Sequence, residues 1–478
     1  SEWLSNVYYD EDIPALVALV EFAEDEELRS LSAMVLDLIL ADMALHHFEG
    51  NFGSTHGRTY EQKMSGLRDS TRSTLNLMFG LNEYAVGNMS SSSLAISTKY
   101  QMPQVLYDIA HDDEREEFEN RQRHSIKIEE AESWGLDYTL LEDGMTFLTL
   151  EAYTHYLTIG LFVEMLDAYK WWEHSDFELF KEYQSLLYDP DLRDFIARSE
   201  EKDVTRNMRP EVNAYTYRTP NYMLSTAQDW RKEYGGDQQS IWQATLGMEA
   251  VAFTTHPGNE SLGGDTPRYW TGYGTMPRSV QVKNVVLSTY DVDTETWIYI
   301  SNQPRYTHAF LPRAKFDETS KENGWFFARK GDGYLALWSS DPDSDWIENA
   351  DSDNADFGDY EIIARGEKTM WICELAQASD YDGDFQAFKD AISGSVVESD
   401  LELRSLTYVS PSQGELFMPW DGDTTQDGNP VVVRDFGRYD NPYSAAAFPA
   451  EEVSFELGDE SLGLSLADRS RTVSSFIE

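Results

Sequence analysis

One cysteine in 478 residues is the first shortage. A single thiol cannot build a disulfide framework or a cysteine zinc site. Cys373 follows Met370, Trp371 and Ile372 in an apolar strand pattern, so it reads as buried and inert. Long hydrophobic runs are also missing. The most apolar helical stretch is broken by Asp37 and Asp42, which leaves no candidate membrane span. Neither an initiator methionine nor a signal peptide stands at the start, which fits a mature form or a fragment lacking an N-terminal part. Basic residues are scarce: 37 against 86 acidic ones, for a formal net charge of −49. Such an excess repels nucleic acid and anionic membrane and argues against both as partners. It suits a halophilic or marine protein kept hydrated in high salt, and equally an ordinary acidic protein that is secreted or held at the cell surface.

Aromatic residues are plentiful, at 13% with 13 Trp and 27 Tyr. That richness excludes disorder and suits stacking on sugar rings as well as core packing. The length allows two domains, divided at 1–205 and 206–478. In the first, apolar spacing predicts helices over 12–22, 26–48, 61–85, 103–130, 146–170 and 176–199, with no interior strand. Ser90–Ser93 reads as a loop, as does 134–144, and Asp112–Glu119 as a charged helix face.

Between the second and third helices, the glycine-rich stretch from Gly50 to Tyr60 carries Asn51, His56, Arg58 and Tyr60. Loops concentrate function. Asn51 and Arg58 are suited to hold a carboxylate, and His56 or Tyr60 to move a proton. The alternative is a turn whose polar groups satisfy its own backbone. Glu151 and His155, four apart on the expected 146–170 helix, form a further pair, either a base oriented by a carboxylate or a buried polar contact.

The segment from Asn213 to Gly258 joins the two halves. It holds Tyr217, Arg218, Tyr222, Gln228, Gln239 and His256. Across Lys202–Lys232 the charge inverts: Lys202, Arg206, Arg209, Arg218, Arg231 and Lys232 outnumber Asp203, Glu211 and Asp229. A cleft of one charge sign gathers the opposite sign, so an anionic saccharide would suit it. The competing explanation pairs these cations with the acidic surface.

After about residue 245 the period changes to two. Strands are expected at 280–290, 296–303 and 308–316, as a hairpin over 324–329 and 334–339, and as another over 360–365 and 369–376. A short helix follows at 385–393, then strands at 401–409, 415–419, 431–436 and 453–457. Together they suggest a large antiparallel sandwich. The acidic loops 341–359, 380–384 and 421–427 lack the calcium-loop pattern, since Trp346 stands where glycine is required. No cofactor or metal is indicated, though a structural divalent cation fits such loops.

Helices followed by a sandwich, with the run Gly324–Arg329 and then Gly333–Leu337, resemble the polysaccharide lyases built from an α/α toroid and an antiparallel β-sandwich, of the heparinase, alginate-lyase and hyaluronate-lyase type. The resemblance covers most of the chain in architecture. It departs from the pattern in having fewer helices than a full toroid and no Asn-His dipeptide. It implies an α+β fold with a toroid-like helical domain, complete or incomplete, and β-elimination beside a uronate carboxylate. His56, Tyr60, His155, Tyr217, Tyr222 and His256 would then supply base and acid. Asn51, Arg58, Arg218, Gln228 and Gln239 would hold an anionic poly- or oligosaccharide. A glycoside hydrolase using two of Asp143, Glu151, Asp229 and Asp237 is the competing enzyme. A non-catalytic carbohydrate-binding or surface protein is the third reading.

Overall fold

Asp25 starts the longest helix by accepting the Glu27 amide at 2.8 Å and the Leu28 amide at 3.3 Å, which satisfies donors the helix cannot. The computed structural model describes residues 2–60, 63, 65–83, 89–113, 115–258, 269–271, 274–292, 303–348 and 352–477. Among them the first helices are α1 (Tyr9–Phe22), α2 (Glu26–Leu45), α3 (Arg72–Phe79), α4 (Met89–Ile96) and α5 (Gln104–Ala110). A second group follows: α6 (Leu141–Thr149), α7 (Ile159–Ala168), α8 (Glu178–Lys181), α9 (Gln184–Leu187), α10 (Pro190–Ser199) and α11 (Glu201–Val204). The two groups fill separate hydrophobic cores. One later helix, α12, spans Phe385–Ser393.

The strands run β1 (Phe118–His124), β2 (Val212–Thr219), β3 (Tyr222–Ala227), β4 (Trp242–Thr245), β5 (Val251–Thr255), β6 (Arg278–Val282), β7 (Val285–Asp291) and β8 (Tyr306–Phe310). Then come β9 (Glu318–Glu322), β10 (Trp325–Lys330), β11 (Gly333–Ser339), β12 (Trp346–Ile347), β13 (Glu361–Arg365) and β14 (Lys368–Gln377). The C-terminal part adds β15 (Val397–Asp400), β16 (Ser405–Ser410), β17 (Gly414–Met418), β18 (Thr425–Gln426), β19 (Asn429–Pro430), β20 (Tyr439–Asn441) and β21 (Ser444–Ala446). It closes with β22 (Glu452–Leu457), β23 (Glu460–Ser465) and β24 (Ser470–Val473).

Helices lead and antiparallel sheets follow, so the fold is α+β. A ten-stranded sheet is ordered β12-β13-β8-β5-β4-β3-β2-β1-β20-β21, and a six-stranded one β6-β7-β14-β11-β10-β9. They face each other across one core holding Tyr222, Leu224, Trp242, Leu335, Trp371 and Cys373. The indoles in that core are satisfied: Trp242 donates to Thr254 Oγ1 at 2.9 Å and Trp371 to Thr307 Oγ1 at 2.8 Å. Cys373 is buried and its thiol unpaired. The opposite face of the six-stranded sheet packs on α12 and on the β15–β19 sheet. On the opposite face of the ten-stranded sheet lie α1–α5, in a core that also takes Val453, Phe455 and Leu462 from the β22–β24 sheet. That core therefore crosses residue 205.

Several expectations give way. A strand, β1, lies inside the helical half and pairs with β2 along its whole length, Phe118 against Arg218 and His124 against Val212. The helix expected over 103–130 ends at Ala110, and residues 111–113 and 115–119 are not helical. Ser90–Ser93 is helical, within α4. The 134–144 loop ends where α6 begins, at Leu141. The 146–170 helix breaks between α6 and α7, where Glu151 takes a left-handed φ of 53°, and 176–199 divides into α8, α9 and α10. The 280–290 strand is a hairpin, β6–β7. The hairpin over 360–376 is not one: β13 pairs with β8 and β14 with β7 and β11, so the chain changes sheets at Gly366. Residues 431–436 form no strand. Of the strand expected at 296–303, only Gln303 lies within the described residues; likewise 61, 62, 64, 84 and 85 of the 61–85 helix fall outside them.

Candidate functional site

Three of the four strands in the Asn213–Gly258 segment lie within it whole, and β2 begins one residue before it; all are buried throughout. Successive side chains on a strand face opposite ways. Tyr217 and Tyr222 face the inter-sheet core, their rings 6.2 Å apart. The loop holding His56 lies on the other face, where the Thr55 amide donates to Ser225 Oγ at 3.2 Å. The sheet therefore separates His56 from Tyr222, and the two do not meet over one sugar ring.

Most of the other expected residues are consumed by the fold. His56 donates through Nδ1 to the Leu4 carbonyl, and its backbone amide donates to Ser240 O at 2.9 Å. Burial pushes its pKa down to about 4. His256 sits between the Pro304 carbonyl at 2.8 Å and the Thr275 amide at 2.7 Å, and burial takes it down to about 4 as well. Asn51 donates to Gly247 O at 3.2 Å and Met248 O at 3.3 Å. Gln228 exchanges two 2.9 Å bonds with the Gln281 backbone. Gln239 accepts the Asp237 amide at 2.6 Å and donates to Arg206 O at 3.3 Å. Burial raises the phenols of Tyr217 and Tyr222, with Glu117 adding to the first.

Arg58 does converge with Glu151, but in a closed knot. Arg58 bridges Glu2, Gln238 and Glu151, the last at 3.1 Å, and approaches Asp237 at 3.9 Å. Tyr60 shares a 2.7 Å bond with Tyr8. Each guanidinium nitrogen of Arg58 already faces an acceptor.

The basic run is used in the same way. Lys202 pairs with Glu233, Arg206 with Asp203, and Lys232 with Asp421 at 2.7 Å. Arg209 donates to Gly57 O at 2.7 Å and Asp237 O at 2.8 Å. Arg218 donates to His47 O at 3.1 Å. Arg231 donates to Thr205 O and Met208 O, both at 2.9 Å. All six cations hold the chain to itself.

Open space lies beyond the loop that follows β3. Asp229, Arg231, Glu233 and Gln238 all take positive φ, of 45°, 44°, 71° and 71°. Such strain gathers at functional sites. A cleft of about 280 Å³ there is lined by Glu129, Glu201, Trp230, Arg231, Tyr234 and Arg434, among others. A wider cleft of about 730 Å³ adjoins it. Gln228 lines both, and the segment Arg434–Gly437 passes from one to the other. The two clefts thus share a wall, as a small and a wide lobe on either side of it.

In the small lobe, His155 Nε2 approaches Glu129 Oε1 at 3.4 Å and Glu201 Oε1 at 3.9 Å. His155 is fully buried, behind the two carboxylates. It holds Glu129 below the usual carboxylate range, and burial opposes the effect. Tyr234 donates to Glu201 Oε1 at 3.2 Å, and burial followed by Glu201 pushes its pKa up to about 12. The three ligand atoms of Glu129, His155 and Glu201 lie within 4.8 Å of one another, a span a divalent cation can bridge. The Leu157 amide, however, donates to His155 Nδ1 at 3.3 Å. That places the ring proton on Nε2, facing the carboxylates, where it makes no well-aligned hydrogen bond among the described residues.

Of the expected residues, Gln228, Asp229 and Arg231 line this groove, and His155 lies buried behind Glu129 and Glu201. Glu129, Glu201 and Tyr234 were not singled out by sequence; two glutamates among 86 acidic residues carry no signal of their own. No family model matches the chain, and neither a curated protein nor a solved structure matches it.

Proposed function

We propose that the chain is a polysaccharide-cleaving enzyme that lays a glycan strand along the two-lobed groove and breaks it in the small lobe. The observation that carries this is the Glu129–Glu201 pair, two carboxylates on the wall of a cleft that adjoins a wider one. Their oxygens lie within 4.8 Å of each other, near the separation of about 5 Å at which hydrolysis proceeds through a covalent glycosyl intermediate. Glu129, held ionised by His155, is the nucleophile. Glu201 is the more enclosed, with 26% of its side chain exposed against 51%. As the second carboxylate of the pair, Glu201 takes the part of the acid that protonates the leaving oxygen. His155 acts through Glu129 and is a positioning residue.

The β-elimination implied by the lyase resemblance is a second reading. It is favoured by Tyr234, whose phenol stays protonated up to about pH 12 and could protonate a leaving oxygen. It also needs a cation for the uronate carboxylate, and the junction arginines are already engaged. Incubation with a panel of neutral and uronate polysaccharides tests both. New reducing ends without ultraviolet-absorbing unsaturated product support hydrolysis; unsaturated product supports elimination. Glu129→Gln is expected to lower hydrolysis by on the order of 10²- to 10⁴-fold. Full activity in Glu129→Gln and Glu201→Gln would overturn the assignment.

A further inference from the structure

We propose that the wide lobe accepts glycan units that are uncharged or bear amino groups, and that it disfavours polyuronate. The proposal rests on reading the groove as a glycan site and narrows its ligand. Its first support is Gln281, which is 1% exposed at the lobe wall. Its Nε2 donates to two carbonyls, Leu224 O at 3.0 Å and Lys283 O at 2.7 Å. Those bonds fix the amide orientation. Oε1 is thereby left as a buried acceptor with no partner among the described residues. A buried acceptor costs free energy until a donor reaches it.

The charges point the same way. Four carboxylates line the lobe, Glu119, Asp427, Asp435 and Asp440, against the two cations Arg121 and Lys283. Arg121 is held between Glu119 at 2.8 Å and Asp440 at 3.8 Å. Lys283 is drawn to Glu117 at 3.0 Å. Among the described residues neither Asp427 nor Asp435 has an ion-pair partner. The lobe thus offers acceptors and negative charge, which match hydroxyl and ammonium donors. A uronate carboxylate would meet like charge with no cation to spare. Val432, 70% exposed at the same wall, provides an apolar surface for the C–H face of a sugar.

Calorimetric titration of the Glu129→Gln protein, whose turnover is expected to be slow enough to read binding alone, reads this directly. The probes are a neutral β-glucan oligomer, a glucosamine oligomer and an oligouronate of equal length. The neutral and amino-bearing probes are expected to bind, the latter more weakly as salt rises, and the oligouronate at least tenfold more weakly than either. The Asp427→Asn/Asp435→Asn double variant is expected to close most of the gap. Oligouronate binding as tight as that of the neutral probe, or a gap unmoved by the double variant, would overturn the ligand class while leaving the glycan groove standing. Failure of all three probes to bind would overturn both.

Discussion

The His308–Glu361 contact yields a quantitative test of what holds the ten-stranded sheet together. His308 on β8 is fully buried, and Glu361 on the neighbouring β13 is 3% exposed. His308 Nδ1 lies 2.6 Å from Glu361 Oε1, and Nε2 donates to the Tyr269 carbonyl at 2.9 Å. The Tyr269 hydroxyl donates to the same carboxylate oxygen at 2.7 Å. Trp270 stacks on the imidazole at 4.0 Å with the planes 6° apart. Replacing His308 with alanine leaves a buried carboxylate whose remaining partner here is one hydroxyl. Breaking a buried pair from one side costs about 3–5 kcal/mol, and losing the ring stack about 0.5–1.5 kcal/mol more. The expected destabilisation is therefore about 4–6 kcal/mol.

Much of that cost comes from the stranded charge, so neutralising it should give it back. Glu361→Gln placed in the His308→Ala background is expected to restore about 2–3 kcal/mol, a coupling well above the roughly 0.3–0.5 kcal/mol scatter of independent sites. Urea unfolding followed by tryptophan fluorescence reads all four corners of the cycle, with Trp270 a local reporter. A His308→Ala cost below about 1 kcal/mol, or additive effects of the two changes, would refute the buried-pair argument.

Three further outcomes follow from burial and charge. His56 and His256 have folded pKa values near 4, below the ordinary 6.5. The unfolded chain binds their protons first, so stability is expected to fall as pH drops from 6.5 to about 4, by about 3 kcal/mol for each; a flat acid limb in a denaturation series would contradict this. Asp69 acts in the opposite sense, because burial raises it to about 7 despite bonds from the Thr71 amide and hydroxyl, both 2.6 Å. Its contribution is greatest below 3.8 and is lost as pH rises through 7, so Asp69→Asn is expected to stabilise the protein at pH 8 by about 1–3 kcal/mol and to do little at pH 4, as thermal melts at the two pH values would show. With a formal charge of −49, the melting temperature is expected to rise between about 0.1 M and 1 M KCl as the screening length shortens from roughly 10 Å to 3 Å; a lower value in high salt would contradict that.

Where local pattern and tertiary need agreed, the fold was legible. The α1–α2 pair, the β10–β11 hairpin and α12 follow from apolar spacing and turn residues. β1 did not, because its period is carried by polar side chains. Asn120 and Gln122 point at α2, where Gln122 donates to Asp42 Oδ1 at 2.6 Å and Asn120 to His46 Nε2 at 3.0 Å. A carboxylate brought by a helix makes those positions buried, and no strand-local rule anticipates it. The 146–170 stretch keeps helical apolar spacing through Leu150 and Leu157, yet its backbone breaks there. The Leu150 carbonyl accepts the Arg209 amide at 2.9 Å, and Glu151 turns out to Arg58. At Gly366 the turn signal was real, but whether a turn closes a hairpin or carries the chain between sheets is decided by the layers on either side. The groove was least legible of all, since its Glu119, Gln281 and Gln426 come from widely separated parts of the chain.

The basic run Lys202–Lys232 is where sequence chemistry and structural chemistry part most usefully. In a chain so acidic, a local excess of arginine reads as a funnel for anions. Arg209, Arg218 and Arg231 instead donate to backbone carbonyls in the His56 loop, the end of α2 and the turn after α11. Arg209 and Arg218 are buried and Arg231 is half-buried, and each meets an acceptor the fold leaves over, although Arg218 Nη2 has no partner among the described residues. Removing one would expose orphaned carbonyls, so these arginines can be essential to activity without touching substrate. Loss of function in an Arg218 or Arg231 variant therefore says nothing about an anionic ligand unless folding is measured beside it. A Glu129 variant that folds normally and binds glycan without cleaving it separates the two explanations, because Glu129 lies on the groove and holds no backbone carbonyl in place.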